Sequence, residues 1–68
     1  MKTSARNQLP GKITAVKHGP VTSEITLQLA NGMSLVGTVT EESCRELGLA
    51  EGGIATALIK AGNIIVAT

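Results

Sequence analysis

The sequence predicts an all-β domain with one short helix, folded as a five-stranded OB-like β-barrel. Three observations support this fold class: Val, Ile, Leu and Ala dominate the apolar residues, one segment alternates polar and apolar residues, and one short segment starts and stops like a helix. The order of three strands, the helix and two strands is that of a small OB-like barrel. At 68 residues the chain is expected to be one domain, 1–68.

The first two predicted strands are separated by a Gly-Pro break. Residues 11–18, GKITAVKH, form the first, and because Ile13 and Val16 do not alternate strictly, they indicate a bulge or burial on both sides. Residues 21–29, VTSEITLQL, form the second. Its odd-numbered positions are apolar apart from Ser23 and its even-numbered positions are polar, which predicts a half-buried strand.

A tight hairpin and three further strands are predicted after this. Asn31-Gly32 is a strong hairpin signal, since both residue types tolerate positive φ. The return strand covers residues 33–39, where Gly37 indicates a bend or a close backbone approach. Residues 54–60 and 64–67 are the fourth and fifth strands, joined by a tight connection.

Residues 40–49, TEESCRELGL, are the single helix candidate. Thr40 is a good N-cap, and the two glutamates that follow it lie where the helix dipole favours acids. Gly48 is placed to end the helix. Cys44 and Leu47 lie on one face at i, i+3 spacing, so we expect both to pack inward.

The composition argues against several classes of function. Six Lys and Arg balance five Glu, with no Asp, for a net charge of +1, and there is no aromatic residue. Nucleic-acid binding relies on many phosphate contacts and on stacking, so it is disfavoured. No apolar run is long enough to span a membrane and nothing resembles a signal peptide, so we expect a cytoplasmic protein. A chain this small, without a disulfide, is expected to oligomerise.

No catalytic residue and no metal-cation site are predicted, so we expect no enzyme activity. Cys44 and His18 are the one nucleophile–base pair, but Cys44 is expected to be a small buried residue on the apolar helix face. The glutamates are expected to form a solvated face. Cation sites need clustered ligands at suitable spacing, and the sequence shows no such cluster.

Three donor-rich stretches suit an anion. They are residues 4–8, 40–43 and 60–62, which combine N–H and O–H donors with small residues and include two positive charges. Each also has a structural explanation: an ion pair of Arg6 at a subunit contact, capping at the helix start, or a solvated strand end. Residues 1–8 are expected to form a donor-rich N-terminal arm.

Four segments, taken in order, carry a family resemblance. They are TSARNQLPGKI, HGPVTSEITLQLANG, VTEESCRELGLAEG and TALIKAGNIIV, from about residue 3 to residue 66. On these segments the chain resembles the molbindins, small molybdenum–pterin-binding proteins whose Mop domain also occurs in molybdate-responsive regulators and transporter ATPases. The Ser-Ala-Arg-Asn-Gln start is the most specific part. The resemblance implies an OB-like barrel that binds molybdate or tungstate as the intact tetraoxyanion.

The resemblance also implies partners and site residues. It implies a homohexamer, a trimer of dimers, with no nucleic-acid or membrane partner and no catalytic cofactor. Molybdate or tungstate would be held by hydrogen bonds at subunit interfaces, for intracellular molybdenum storage or homeostasis. Carried over by motif, the interface site comprises Ser4, Arg6, Thr40, Ser43, Lys60 and Ala61. A second site, near the threefold axis, would comprise His18, Gly19 and Val21.

Some residues argue against these expected anion sites. Glu41 and Glu42 must point outward if an anion is to bind beside them. Gly62 stands where members of the family often carry Ser or Thr, and Pro20 removes an amide near the second site. Two alternatives therefore stay open: a structural oligomerisation module with a decayed anion site, and a nucleic-acid-binding OB module.

Overall fold

The computed structural model describes all residues, 1–68, as four strands and one short α-helix. The elements are β1 (Asn7–Lys17), β2 (Thr22–Leu29), β3 (Ser34–Thr40), α1 (Glu41–Glu46) and β4 (Ile54–Ile59). A 3-10 turn, Ala61–Asn63, follows β4. The strands form one antiparallel sheet in the order β3-β2-β1-β4, which confirms a mostly β fold with one short helix.

The predicted fifth strand is absent from the single chain. Residues 64–68 pair with no strand, although the backbone at Ile64 is extended, with φ −88° and ψ 131°. The side chains of Ile65 and Val66 are 92% and 83% exposed. β-Branched residues favour an extended backbone, but a strand also needs a partner ladder, and this segment has none in its own chain. The sheet is therefore open, with β3 and β4 as its edges.

β1 begins four residues earlier than predicted. Asn7 pairs with Ile59 of β4, so Asn7 and Gln8 belong to the sheet and the unpaired part of the N-terminal arm ends before them. Pairing of β1 with β2 starts only at Gly11. Pro10 therefore lies where β2 requires no amide from it, which explains how a proline is accommodated inside a paired strand.

Of the two possibilities predicted for β1, a bulge or burial on both sides, the structure shows the bulge. The register on β2 shifts between Ile13 and Ala15, so Thr14 is the extra residue of the bulged strand. Ile13 turns into the core, where it is 1% exposed. The buried residues are Ile13, Ile25, Leu27, Cys44 and the polar Ser23. A core of this size leaves much of the apolar surface of the chain uncovered.

The β2–β3 hairpin is confirmed, but its turn is not the two-residue type expected of Asn31-Gly32. Gly32 has φ 85°, whereas Asn31 has no positive φ. The N–H of Leu29 donates to the carbonyl of Met33 at 2.8 Å, and the N–H of Gly32 donates to that of Leu29 at 2.9 Å. The loop therefore has three residues, with glycine in the left-handed position that such loops favour.

The start and the end of α1 follow the sequence prediction. The Oγ1 atom of Thr40 accepts a hydrogen bond from the N–H of Ser43 at 3.0 Å, which confirms the N-cap. Gly48, with φ 65°, terminates the helical backbone, as expected of a residue just after the cap.

Leu47 and Val21 were predicted to pack inward, but both are exposed. Cys44 is 2% exposed, but Leu47 is 69% exposed. α1 ends at Glu46, so Leu47 is beyond the helix face that packs on the sheet. Val21 precedes the first residue of β2 and is 72% exposed, because the alternation of that strand starts only at Thr22.

Candidate functional site

The six residues predicted for the interface site fall into two groups. Ser4, Arg6, Lys60 and Ala61 lie at the start of β1 and the end of β4, and we call this group the basic end. Thr40 and Ser43 lie at the end of β3, near the other end of β1. The 11 residues of β1 separate the two groups by roughly 30 Å along the strand, at about 3.3 Å per residue. The structure does not bring the groups together within one chain.

Pairing of β1 with β4 assembles the basic end. Asn7 is opposite Ile59, so Arg6 and Lys60 occupy the next facing positions. The Nδ2 atom of Asn7 donates to the carbonyl of Ile59 at 3.1 Å and ties this end of the sheet together. Both ion pairs of the chain involve Glu41, and neither involves these two cations. Two positive charges therefore lie side by side without a carboxylate partner.

Hydrogen bonds between residues that are close in sequence hold the N-terminal arm beside β1. The N–H of Ala5 donates to Thr3 Oγ1 at 3.1 Å. The Nε2 atom of Gln8 donates to the carbonyl of Ala5 at 3.4 Å. Ser4, between these contacts, is exposed. Asn7 and Gln8 thus hold the arm through side-chain hydrogen bonds, and the exposed Ser4 hydroxyl stays available to a ligand.

The second group is a pair of linked hydroxyls at the start of α1. Thr40 Oγ1 donates to Ser43 Oγ at 2.9 Å and also accepts from the N–H of Ser43. The N–H of Glu41 donates to the carbonyl of Val21 at 2.8 Å. Two amides at the helix start, those of Glu41 and Ser43, therefore already have acceptors within the chain. The hydroxyl proton of Ser43 is the donor that this group offers.

The three residues predicted for the threefold-axis site lie in the turn between β1 and β2. The Nδ1 atom of His18 is 2.9 Å from Glu41 Oε1. A Cβ added to Gly19 would lie 2.5 Å from the carbonyl oxygen of Thr22, so the close backbone approach requires glycine. Val21 is exposed. This turn is beside the hydroxyl pair and at the opposite end of β1 from the basic end.

Glu41 points inward, which corrects the prediction that both first-turn glutamates point outward. Its side chain is 17% exposed, and it accepts hydrogen bonds from Ser23 Oγ, His18 Nδ1 and Arg45 Nε, the last at 3.3 Å. The hydrogen bond from His18, followed by that from Ser23, lowers the pKa of Glu41 from 4.5 to about 2. Glu42 is exposed, as predicted. The hydrogen-bonding needs of the Glu41 carboxylate are thus met within its own chain.

One cluster of metal-binding residue types was not predicted from the sequence. Ligand atoms of His18, Glu41 and Cys44 all lie within 4.8 Å of one another, and we call these three residues the mixed cluster. Glu41 and Cys44 are three residues apart on α1, a spacing that is visible in the sequence. His18 is distant in sequence from both, and only the fold brings it to them. The expectation that no ligand cluster exists is therefore wrong.

The fold and the site define a small OB-like β domain with a basic end suited to an anion. The TOBE-domain family model matches residues 3–66, and the chain belongs to this family. Its relatives place it among the molbindins, which confirms the resemblance stated above. No helix of the structure combines the length and the apolar character needed to cross a membrane.

The relatives differ in length. Molybdenum-pterin-binding protein 3 of Clostridium pasteurianum is 42% identical over 66 residues, which cover 97% of each chain. The molybdenum transport protein ModE of Azotobacter vinelandii is 45% identical over 67 residues, which cover 98% of this chain and 25% of ModE. The chain thus spans nearly all of the small relative and a quarter of the larger one.

Solved structures show the same fold. MopII from Clostridium pasteurianum, in an apo form, has a TM-score of 0.94 at 37% identity, over 98% of this chain and 100% of MopII. The cytoplasmic molybdate-binding protein ModG, with molybdate bound, has a TM-score of 0.92 at 43% identity, over 96% of this chain and 46% of ModG. Relatives of known structure therefore include molybdate-binding proteins.

Proposed function

We propose that the chain binds molybdate, and tungstate in the same way, as an intact oxyanion for molybdenum storage in the cytoplasm. The observation that carries the proposal is the basic end, where Arg6 and Lys60 are adjacent and have no carboxylate partner. An oxyanion with two negative charges needs matching positive charge and several donors, because an unpaired buried charge is very costly. The molybdate-binding relatives support the choice of ligand.

The donors of the basic end have complementary roles. The planar guanidinium of Arg6 can donate two parallel hydrogen bonds to neighbouring oxygens of the anion, and Lys60 supplies a compact charge. Ser4 adds a hydroxyl. Ala61 is the first residue of the 3-10 turn, so its N–H has no acceptor inside that turn and is free for the ligand.

We also propose that each site is shared between two copies of the chain. Ser43, oriented by Thr40, lies one strand length away from the basic end of its own chain, so a neighbouring copy is the natural source of this donor. The oligomer implied by the resemblance is a hexamer, a trimer of dimers. In that assembly the turn containing His18, Gly19 and Val21 would supply the second oxyanion site.

Exposed apolar side chains support the assembly. Ile54, Ile65 and Val66 are 85%, 92% and 83% exposed, and the chain buries 5 of its 68 residues. A soluble monomer rarely exposes a large contiguous apolar surface, and a domain with so small a core gains stability from association. Subunit contacts would cover these side chains and could pair residues 64–68 with a sheet edge of another copy.

Isothermal titration calorimetry with molybdate, with sulfate as the control anion, tests the binding proposal. We expect saturable heat with molybdate in the micromolar range and much weaker heat with sulfate. Native mass spectrometry of the same samples reports the number of subunits and of bound oxyanions. An assembled protein that takes up no molybdate in either measurement would instead be a structural oligomerisation module. Salt-sensitive retention on single-stranded DNA would favour the nucleic-acid alternative.

A further inference from the structure

We propose that His18, Glu41 and Cys44 form a binding site for a divalent transition-metal ion of the zinc type. This site lies at the opposite end of β1 from the basic end, and it shares His18 with the second oxyanion site proposed above. The three ligand atoms lie within 4.8 Å of one another and offer a nitrogen, an oxygen and a sulfur. The residues come from two places, the turn after β1 and one face of α1, so the fold and not one local segment creates the cluster.

The spacing of the ligand atoms is close to that of a tetrahedral site. With Zn–N and Zn–O bonds near 2.1 Å and a Zn–S bond near 2.3 Å, neighbouring ligand atoms are about 3.3–3.6 Å apart. His18 Nδ1 and Glu41 Oε1 are 2.9 Å apart, and no pair exceeds 4.8 Å. Adjustments of about 1 Å therefore suffice, and the 59% exposed side chain of His18 has room to make them.

The burial of the three residues suits the entry of an ion from solvent. Cys44 is buried at the floor of the cluster, Glu41 is half-buried, and His18 is exposed at the mouth. Three protein ligands leave a fourth position of a tetrahedral ion for water, and His18, the most exposed of the three, lies on the solvent side. This is the arrangement of an open site and differs from that of a closed structural zinc site.

The ligand types select the class of ion. Calcium and magnesium prefer oxygen ligands, whereas imidazole together with a thiolate favours zinc and neighbouring transition metals. A carboxylate and a thiolate also balance the two charges of the ion. Binding requires the Cys44 thiol to lose its proton, so each bound ion releases about one proton when His18 is neutral.

Existing hydrogen bonds hold the carboxylate in place for the ion. Ser23, 1% exposed, donates to Glu41 Oε1, and Arg45 Nε donates to Oε2 at 3.3 Å. Glu41 can therefore coordinate through Oε1 while Arg45 keeps its bond to the other oxygen. Such outer contacts orient metal ligands and reduce the reorganisation that binding requires.

The test is a Co²⁺ titration of the reduced full chain in buffer free of molybdate and of other metals. We expect a thiolate-to-Co²⁺ charge-transfer absorption that saturates near one ion per chain and is abolished by added Zn²⁺. His18→Ala and Glu41→Gln are each expected to weaken Co²⁺ binding by at least about tenfold. Glu46→Gln, which removes an exposed carboxylate of the same helix, is the matched control and should stay within about twofold of wild type.

Two results would overturn the proposal. One is the absence of charge-transfer absorption from the wild-type chain at millimolar Co²⁺. The other is retention of wild-type affinity by both His18→Ala and Glu41→Gln, which would mean that the Cys44 thiol binds the ion without them. Because His18 is exposed, its replacement by Ala should leave the fold intact, and far-UV circular dichroism checks this.

Discussion

The two ends of β1 handle charge in opposite ways. At its start, Arg6 and Lys60 lie together with no carboxylate partner. Near its other end, Glu41 is largely enclosed and accepts hydrogen bonds from three side chains. Cations without a carboxylate partner in the chain are available to an external anion. A carboxylate that is hydrogen-bonded within the chain instead stabilises the local structure. This contrast supports the proposal that an anion binds at the basic end, and the three donors to Glu41 offset part of its negative charge beside the hydroxyl pair.

The largest expected effect is the loss of molybdate affinity in Arg6→Ala, which removes a cation from the basic end. Arg6→Ala should weaken molybdate binding by roughly ten- to a hundredfold, because hydrogen bonds to charged groups contribute about 1.5–3 kcal/mol. Arg45→Ala removes the same charge from the other end of β1, where the arginine side chain is 78% exposed, and should leave affinity within about twofold. Calorimetry measures both variants, and native mass spectrometry should show the same assembly for each.

Equal losses in the two arginine variants would contradict this division of the molecule. They would mean that molybdate binding depends on cations at both ends of β1 and not on the basic end alone. An Arg6→Ala affinity within about twofold of wild type would remove Arg6 from the site altogether.

A substitution in the turn at the other end of β1 should lower the free energy of unfolding strongly. Gly19→Ala places a Cβ 2.5 Å from the Thr22 carbonyl oxygen, so the backbone must shift, at a cost of about 1–3 kcal/mol. Gly37→Ala is the matched control, because an added Cβ there meets no atom within 4 Å. Urea denaturation measures both. A Gly19→Ala variant as stable as Gly37→Ala would show that the turn is not held as tightly as its geometry indicates.

The acid of the mixed cluster should make stability depend on pH. The folded-state pKa of Glu41 is about 2 against an ordinary value of 4.5, so the unfolded chain takes up this proton first as pH falls. The stabilisation by ionised Glu41 is fully present above about pH 4.5 and is lost as pH falls toward about 2. The difference in unfolding free energy between wild type and Glu41→Gln should therefore shrink across this range.

Glu46→Gln is the control for the pH series, since Glu46 is exposed on the same helix. The difference in unfolding free energy between Glu46→Gln and wild type should change less between pH 6 and pH 2 than the difference between Glu41→Gln and wild type. If the two variants gave parallel curves, the hydrogen bonds to Glu41 would not stabilise the folded chain.

Local signals in the sequence predicted local structure well. The Thr40 cap, the Gly48 stop and the bulge near Ile13 all follow from residues within a few positions of each other, and the structure confirms all three. The family resemblance was also found from short segments. By contrast, the start of β1 was predicted four residues too late, because the sequence alone does not show that residues 7–10 pair with β4.

Features that depend on distant contacts were not predicted. The inward orientation of Glu41 results from His18 and Ser23, which lie 23 and 18 positions away in the sequence. Residues 64–67 have strand composition, but their strand requires a partner that one chain does not contain. The two groups of site residues could not be separated by sequence either, since their distance follows from the register of β1 with β2 and β4.

The smallest expected effect concerns Gly62. Gly62 lies in the 3-10 turn beside Ala61, has no positive φ, and an added Cβ meets no atom within 4 Å. Gly62→Ser should therefore be tolerated and should add a hydroxyl at the basic end. One further hydrogen bond contributes about 0.5–1.5 kcal/mol, so molybdate affinity should rise roughly two- to tenfold.

Gly62→Ala separates the hydroxyl from the backbone effect of replacing glycine. Both variants restrict the unfolded chain in a similar way, but only serine adds a donor. Tighter molybdate binding by Gly62→Ser than by Gly62→Ala would place residue 62 within hydrogen-bonding reach of the anion and would extend the basic end along the 3-10 turn. Equal affinities would confine the donors of the basic end itself to Ser4, Arg6, Lys60 and the Ala61 backbone, because a hydroxyl that reaches the anion must improve on a methyl group at the same position.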